Sequence, residues 1–414
     1  MESIFEKLES EVRGYCRSFP TVFTKAKNAA MYDENGKEYI DFFAGAGALN
    51  YGHNNDYIKA KIIEYLENDG ITHALDMYTN PQKRFLEVFE EKILKPKGLN
   101  YKIQFCGPTG ANSVEAALKL ARKAKKRQGI FAFTGSFHGM SMGASSVTSN
   151  TDYQANIGTQ TTGVTFLPFP FGFYESFDTI AYMEELLKDP NSGVAKPAAV
   201  IIETVQCDGG ICIAPEEWLV RLRALCDKYD ILLIADDVQA GCGRTGEFFS
   251  FERAGIVPDI VTVSKSISGY GLPMALVLMK PELDVWKPGD HTGTFRGFQL
   301  AFIGAVAALE LREQLNIDKE TKRKGAIAYK YMKENIEPLS DKISVRGIGM
   351  LYGIDCHDTV LSKAIVTECF ENGLIIERTG RNDEVIKFLP PLIIEEDRML
   401  KGLEILKNAV AKCV

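Results

Sequence analysis

Between about residues 55 and 285 of this 414-residue chain, short apolar runs alternate with stretches of helical periodicity. The runs fall at 130–133, 199–202, 231–235 and 260–263, and helical spacing covers 113–128 and 216–229. An apolar run set between helices needs cover on both faces, which a mostly parallel sheet sandwiched by helices provides. The pattern predicts an α/β fold. Ahead of it, residues 3–17 read as an amphipathic helix, and Ala30–Phe43 alternates apolar and polar residues around Glu34-Asn35-Gly36, a hairpin signature. After a helix near 298–314, the segment 343–355, a helix over 358–372 and a strand pair over 374–394 predict a separate α+β lobe, against which the N-terminal piece is expected to pack. The expected division is 1–50 as the N-terminal part of a small domain, 51–312 as a large domain, and 313–414 as the C-terminal part of the small domain.

The formal net charge of -7 leaves no electrostatic footprint for a polyanion, so small metabolites fit better than nucleic acid as partners. The start Met1-Glu2-Ser3-Ile4-Phe5-Glu6 lacks the basic and then apolar layout of a signal peptide, and no run of about 18 apolar residues follows. A soluble, cytoplasmic protein without a membrane partner is expected. The 9 cysteines include no C-x-x-C pair and read as reduced, buried thiols. Cys207 and Cys212 are closest together, but no further Cys or His stands near them, so no metal site is expected.

Chemistry concentrates where apolar runs end. Ile231-Leu232-Leu233-Ile234-Ala235 closes on Asp236-Asp237, and ligands in open α/β sheets sit at the carboxyl ends of strands. A carboxylate there can pair with a protonated ring nitrogen and make that ring an electron sink. Alternation along the strand lets one of the two aspartates face it. Metal ligation or helix capping remain the other readings of this pair. The next apolar run, Ile260-Val261-Thr262-Val263, leads through Ser264 to Lys265 and the glycine-rich Ser266-Ile267-Ser268-Gly269-Tyr270-Gly271. A lysine in a desolvated site loses its proton more readily, and its neutral amine can form a Schiff base. Upstream, Gly107-Pro108-Thr109-Gly110-Ala111-Asn112-Ser113 opens a helix whose free N–H groups and dipole favour an anion such as a phosphate.

Together these segments resemble the class III aminotransferases of fold type I, over nearly the whole chain. The resemblance implies a large domain with a mostly parallel sheet, a small α+β domain from both termini, and pyridoxal 5'-phosphate as cofactor. It implies Gly110 and Ala111 in the phosphate loop and Phe137, in Ser136-Phe137-His138-Gly139, stacked on the pyridine ring. Asp236 then holds the ring nitrogen, Gln239 lies near the ring hydroxyl, and Lys265 is the Schiff-base lysine. Thr294, in His291-Thr292-Gly293-Thr294-Phe295, matches a threonine that reaches the phosphate of a neighbouring subunit, which implies a homodimer core and leaves room for a tetramer or hexamer. His138 reads as packing or orientation.

Two charged positions and one uncharged position bear on substrate. Asp208 and Lys387 stand where relatives acting on ornithine or γ-aminobutyrate carry Glu and Arg, and Met140 stands where they carry Arg. Asp208 and Lys387 are expected to form a gating pair. A distal substrate carboxylate needs some other cation, and Arg296 is the candidate, reaching in from a neighbouring subunit. The runs Tyr15–Lys27 and Phe42–His53 resemble the branch of the family that makes L-2,4-diaminobutanoate for ectoine biosynthesis. That resemblance implies L-glutamate and L-aspartate 4-semialdehyde as substrates, with another ω-aminotransferase, acting on acetylornithine or 4-aminobutyrate, as the alternative.

Overall fold

A computed structural model describes residues 3–157 and 163–414. Seven strands form the central sheet: β1 (Lys102–Phe105), β2 (Ile130–Phe133), β3 (Val164–Leu167), β4 (Ala199–Ile202), β5 (Leu232–Asp236), β6 (Ile260–Val263) and β7 (Leu276–Met279). Their spatial order is β1-β7-β6-β5-β4-β2-β3. Only β7 runs antiparallel to its neighbours. Every residue of β2 and of β4 through β7 is buried, as strands covered on both faces must be. The four apolar runs of the sequence thus become β2, β4, β5 and β6. Strands β1 and β3 are only partly buried edge strands and carry a weaker apolar signal.

Two long helices frame the sheet near the site. Helix α1 (Gly110–Lys125) starts where the Thr109 side chain accepts a hydrogen bond from the Asn112 N–H, and it packs against β6 and β7. Helix α2 spans Gln299–Gln314. In the C-terminal lobe, β8 (Ser344–Ile348), β9 (Leu351–Asp355), β10 (Glu377–Thr379) and β11 (Val385–Phe388) form an antiparallel sheet in the order β8-β9-β11-β10. A second small sheet joins the chain's two ends. The hairpin strands Ala30–Asp33 and Glu38–Asp41 pair antiparallel, and Leu374–Ile375 adds parallel to Glu38–Asp41.

The N-terminus departs from the expected single helix over 3–17. It forms two short helices, Ile4–Leu8 and Tyr15–Ser18, with none of their residues buried. Ser3 and Glu6 make a capping box, but Gly14 interrupts the run, and an amphipathic face that buries none of its residues gains little from lengthening. Among the described residues no helix is long and apolar enough to cross a membrane.

Arg244 clasps three parts of the chain. Its fully buried guanidinium donates to the Met350 and Pro390 carbonyls and to Asn50 Oδ1, so N-terminal, central and C-terminal segments meet on one side chain. Arg244→Ala removes all three donors and strands buried acceptors, so we expect a loss of about 3–5 kcal/mol in urea unfolding. A loss below about 1 kcal/mol would show that the clasp is dispensable.

Candidate active site

The carboxyl ends of β4, β5 and β6 open onto a cavity of about 210 Å³. Its lining includes Gly110, Ala111, Phe137, His138, Glu203, Asp208, Asp236, Gln239 and Lys265. Residues separated by more than 150 positions therefore meet in one enclosure, which favours a ligand that needs all of them at once.

Parallel register places Asp236 opposite Thr262, whose hydroxyl donates to Asp236 Oδ1 over 2.9 Å. The other oxygen, Oδ2, lies 2.6 Å from His138 Nδ1. Both oxygens of the carboxylate are thus engaged, an arrangement in which His138 and Thr262 fix the orientation of Asp236. Asp237 points to the opposite side of the strand and accepts from the Ser250 backbone N–H at 3.0 Å. Burial pushes the Asp237 carboxyl up to about 7, with the neighbouring Asp236 charge adding to that rise. Of the two adjacent aspartates, one faces the cavity and the other is sealed in protein.

Lys265 follows β6 in the left-handed region, with φ 50, a conformation that costs a non-glycine residue on the order of 1 kcal/mol. The turn is held by its neighbours: Ser264 Oγ donates to the Met274 carbonyl and Ser266 Oγ to the Gly47 carbonyl. The amine faces the cavity, and burial lowers its pKa, with the cation at Lys387 acting in the same direction against the carboxylate of Asp208. A less basic amine at a fixed position suits both covalent attachment of a carbonyl and proton transfer.

The start of α1 forms the opposite wall. A Cβ on Gly110 would sit 2.8 Å from Val238 Cγ1, and one on Gly139 (φ +123) 2.7 Å from the Ala111 Cβ, so small residues here set the closeness of the walls. Phe137 sits above this floor, its N–H donating to Glu203 Oε1 at 2.9 Å. The Gln239 amide donates to the Ala46 carbonyl at 2.9 Å, and its own carbonyl oxygen lies 3.5 Å from Lys387 Nζ. Asp208 Oδ1 lies 3.1 Å from Lys387 Nζ. Burial works against ionisation of Asp208, but Lys387 and Lys265 outweigh it and hold its pKa below the ordinary carboxylate value.

Lys387 is buried beside Asp208 rather than in the lining, and three further residues lie away from this cavity. Thr294 is exposed in the loop before α2, and Met140 is half-exposed beyond Gly139. Arg296 lines a separate cleft of about 590 Å³ and is ion-paired with Asp76, so within this chain its charge is already met. Two carboxylates were absent from the sequence-based set. Glu203 closes the apolar run of β4 much as Asp236 closes β5, a signal that was available, and burial raises its pKa well above the ordinary value, aided by the Asp236 charge. Glu377 lies 2.8 Å from Lys387 Nζ and was hidden by its position across a strand pair.

The raised pKa of Asp237 yields a pH dependence. Its acid form is favoured in the folded state, so folding binds a proton between pH 3.8 and about 7 that the unfolded chain has released, and stability falls as pH rises through that window. Asp237→Asn should remove this slope, worth a few kcal/mol, in urea unfolding at pH 4 to 8. An unchanged slope would mean that Asp237 titrates normally.

The aminotransferase class-III family model matches residues 14–410. A diaminobutyrate–2-oxoglutarate transaminase of Streptomyces coelicolor is 52% identical over 411 residues, covering 99% of this chain and 97% of that protein. One of Halomonas elongata is also 52% identical over 411 residues, covering 98% of each. Among solved structures, the ornithine aminotransferase of Toxoplasma gondii superposes with a TM-score of 0.86 at 27% identity, over 99% of this chain and 93% of that one. The cavity at the ends of β4, β5 and β6 is thus found in a chain that belongs to the class III aminotransferases, a family of pyridoxal 5'-phosphate enzymes.

Proposed function

We propose that this chain transfers the amino group of L-glutamate to L-aspartate 4-semialdehyde, giving L-2,4-diaminobutanoate and 2-oxoglutarate for ectoine biosynthesis, as a cytoplasmic homodimer or a larger assembly of such dimers. The observation that carries the reading is near-full-length identity of about half to diaminobutyrate transaminases, joined to an acid–base pair, Asp208 and Lys387, whose acid lines the cavity.

The residues present fit the family's cofactor. Asp236, fixed by His138 and Thr262, suits a protonated pyridine nitrogen, and the free N–H groups at Gly110 and Ala111 suit a phosphate. Phe137 would cover the ring, Gln239 would lie by its hydroxyl, and Thr294 would reach the phosphate held by a second copy of the chain. When bound, pyridoxal phosphate delocalises the electron pair left on the substrate carbon as its proton departs. Lys265 is placed to take that proton at Nζ and return it, since its amine has lowered basicity and no carboxylate in direct contact.

Substrate choice turns on charge beside the reacting carbon. Glutamate carries an α-carboxylate there, whereas the aldehyde end of aspartate semialdehyde carries none. Asp208 covers Lys387 for the uncharged end and swings aside for the carboxylate, so one pocket serves both. A carboxylate buried without a cation would bind poorly, which makes Lys387 the required partner for glutamate.

With glutamate as donor, 2-oxoglutarate formation should be at least about tenfold more efficient with aspartate semialdehyde than with succinate semialdehyde or N-acetylglutamate semialdehyde. Preference for either of the latter would overturn the substrate assignment. Asp236→Asn should lower kcat by about a thousandfold, while Asp237→Asn stays within about tenfold of the parent. The reverse order would exchange the roles of the two aspartates.

A further inference from the structure

Lys387 is held by two carboxylates, and they differ in how freely they can leave. Antiparallel pairing of β10 with β11 sets Glu377 directly across from Lys387, with Oε1 2.8 Å from Nζ. Glu377 is buried, its side chain only 7% exposed, on a strand fixed by its ladder. The Asp208 side chain is 36% exposed and sits in the turn between the two-residue strands Val205–Gln206 and Cys212–Ile213, followed by Gly209 and Gly210. The Asp208 carbonyl accepts from the Thr379 hydroxyl at 2.9 Å and from the Gly380 N–H at 3.1 Å, so the turn is tied to β10 and it is the half-exposed Asp208 side chain, not its backbone, that has room to leave Lys387.

We propose that Glu377 is a positioning residue that sets the balance between the two substrates: it is the fixed counter-ion of Lys387, so departure of Asp208 uncovers a neutral Lys387–Glu377 pair rather than a bare cation. This rests on the gate described above. With Asp208 in place, the cluster holds one ammonium and two carboxylates and favours cationic ligands. With Asp208 away, it is neutral, and an incoming α-carboxylate must share Lys387 with Glu377. Burial raises the Glu377 carboxyl, against the pull of Lys387, while Glu377 and Asp208 together hold Lys387 above its ordinary value despite its burial. Diaminobutanoate, which leaves Asp208 on Lys387, meets no such competition. Glu377 therefore weakens glutamate binding selectively.

The test is single-turnover absorbance of the holoenzyme with L-glutamate and, separately, with L-2,4-diaminobutanoate. Glu377→Gln should lower the half-saturating glutamate concentration roughly tenfold and move that for diaminobutanoate by no more than about twofold. Glu377→Asp, which keeps the charge and retreats by one methylene, should shift glutamate in the same direction by less, and it serves if the glutamine variant does not fold. Equal changes in both half-reactions with a lower Tm, or weaker glutamate binding, would overturn the proposal and leave Glu377 as a strut. Asp208→Ala in the same assay separates the two ideas. If it fails to split the half-reactions, the gate is wrong and this inference falls with it. If it splits them and the Glu377 variants do not, the gate stands and the role of Glu377 is refuted.

Discussion

The parallel ladder between β5 and β6 ends at the pair Asp236 and Thr262, and the chain beyond each strand supplies polar groups to the cavity at that edge. Because the strands run in the same direction, their ends open at the same edge of the sheet. Asp236 closes one strand, and Lys265 follows the other by two residues. A one-residue slip in this register would turn Asp236 into the protein and Asp237 into the cavity. The hydroxyl of Thr262 and the imidazole of His138 lock the correct alternative in place. Everything asked of the cavity, from an oriented carboxylate to a reactive amine, depends on that register.

Two lysines, the partly buried Lys265 after β6 and the buried Lys387 on β11 of the C-terminal sheet, have opposite electrostatic fates. Lys387 has carboxylates at 2.8 and 3.1 Å, so attraction outweighs desolvation and its proton is held firmly. Lys265 has neither carboxylate in salt-bridge contact, and Lys387 repels its charged form, so desolvation prevails and its amine is more easily freed of a proton. Burial thus leaves one lysine a held charge and makes the other a less basic amine, as the proposed roles of Lys265 as nucleophile and proton carrier require. The pairing of Lys387 is what permits this division, because an unpaired cation at that depth would be too costly to retain.

The central sheet was legible because β2, β4, β5 and β6 are covered on both faces and so read as continuous apolar runs. Strands β1 and β3 lie at the sheet edges, where partial exposure dilutes the same signal. Asp236 and Lys265 were legible from their place after such runs, and the pairing of Asp208 with Lys387 from resemblance to relatives. Glu377 was not, because its partner is set by cross-strand register between β10 and β11, which leaves no local mark in the chain. The single N-terminal helix does not form, and for a different reason: its pattern is amphipathic, but Gly14 breaks it and none of the residues of the two short helices is buried. Arg296, expected to act on the site of a neighbouring subunit, is paired with Asp76 within its own chain.

The account's central claim is that Lys265, and not the more deeply buried Lys387, carries the cofactor. Borohydride reduction of the protein with pyridoxal 5'-phosphate, followed by peptide mapping, tests it most directly. The account predicts a pyridoxyl group on the peptide containing Lys265 and none on that containing Lys387. Label on Lys387, or undiminished fixed label in Lys265→Ala, would contradict it.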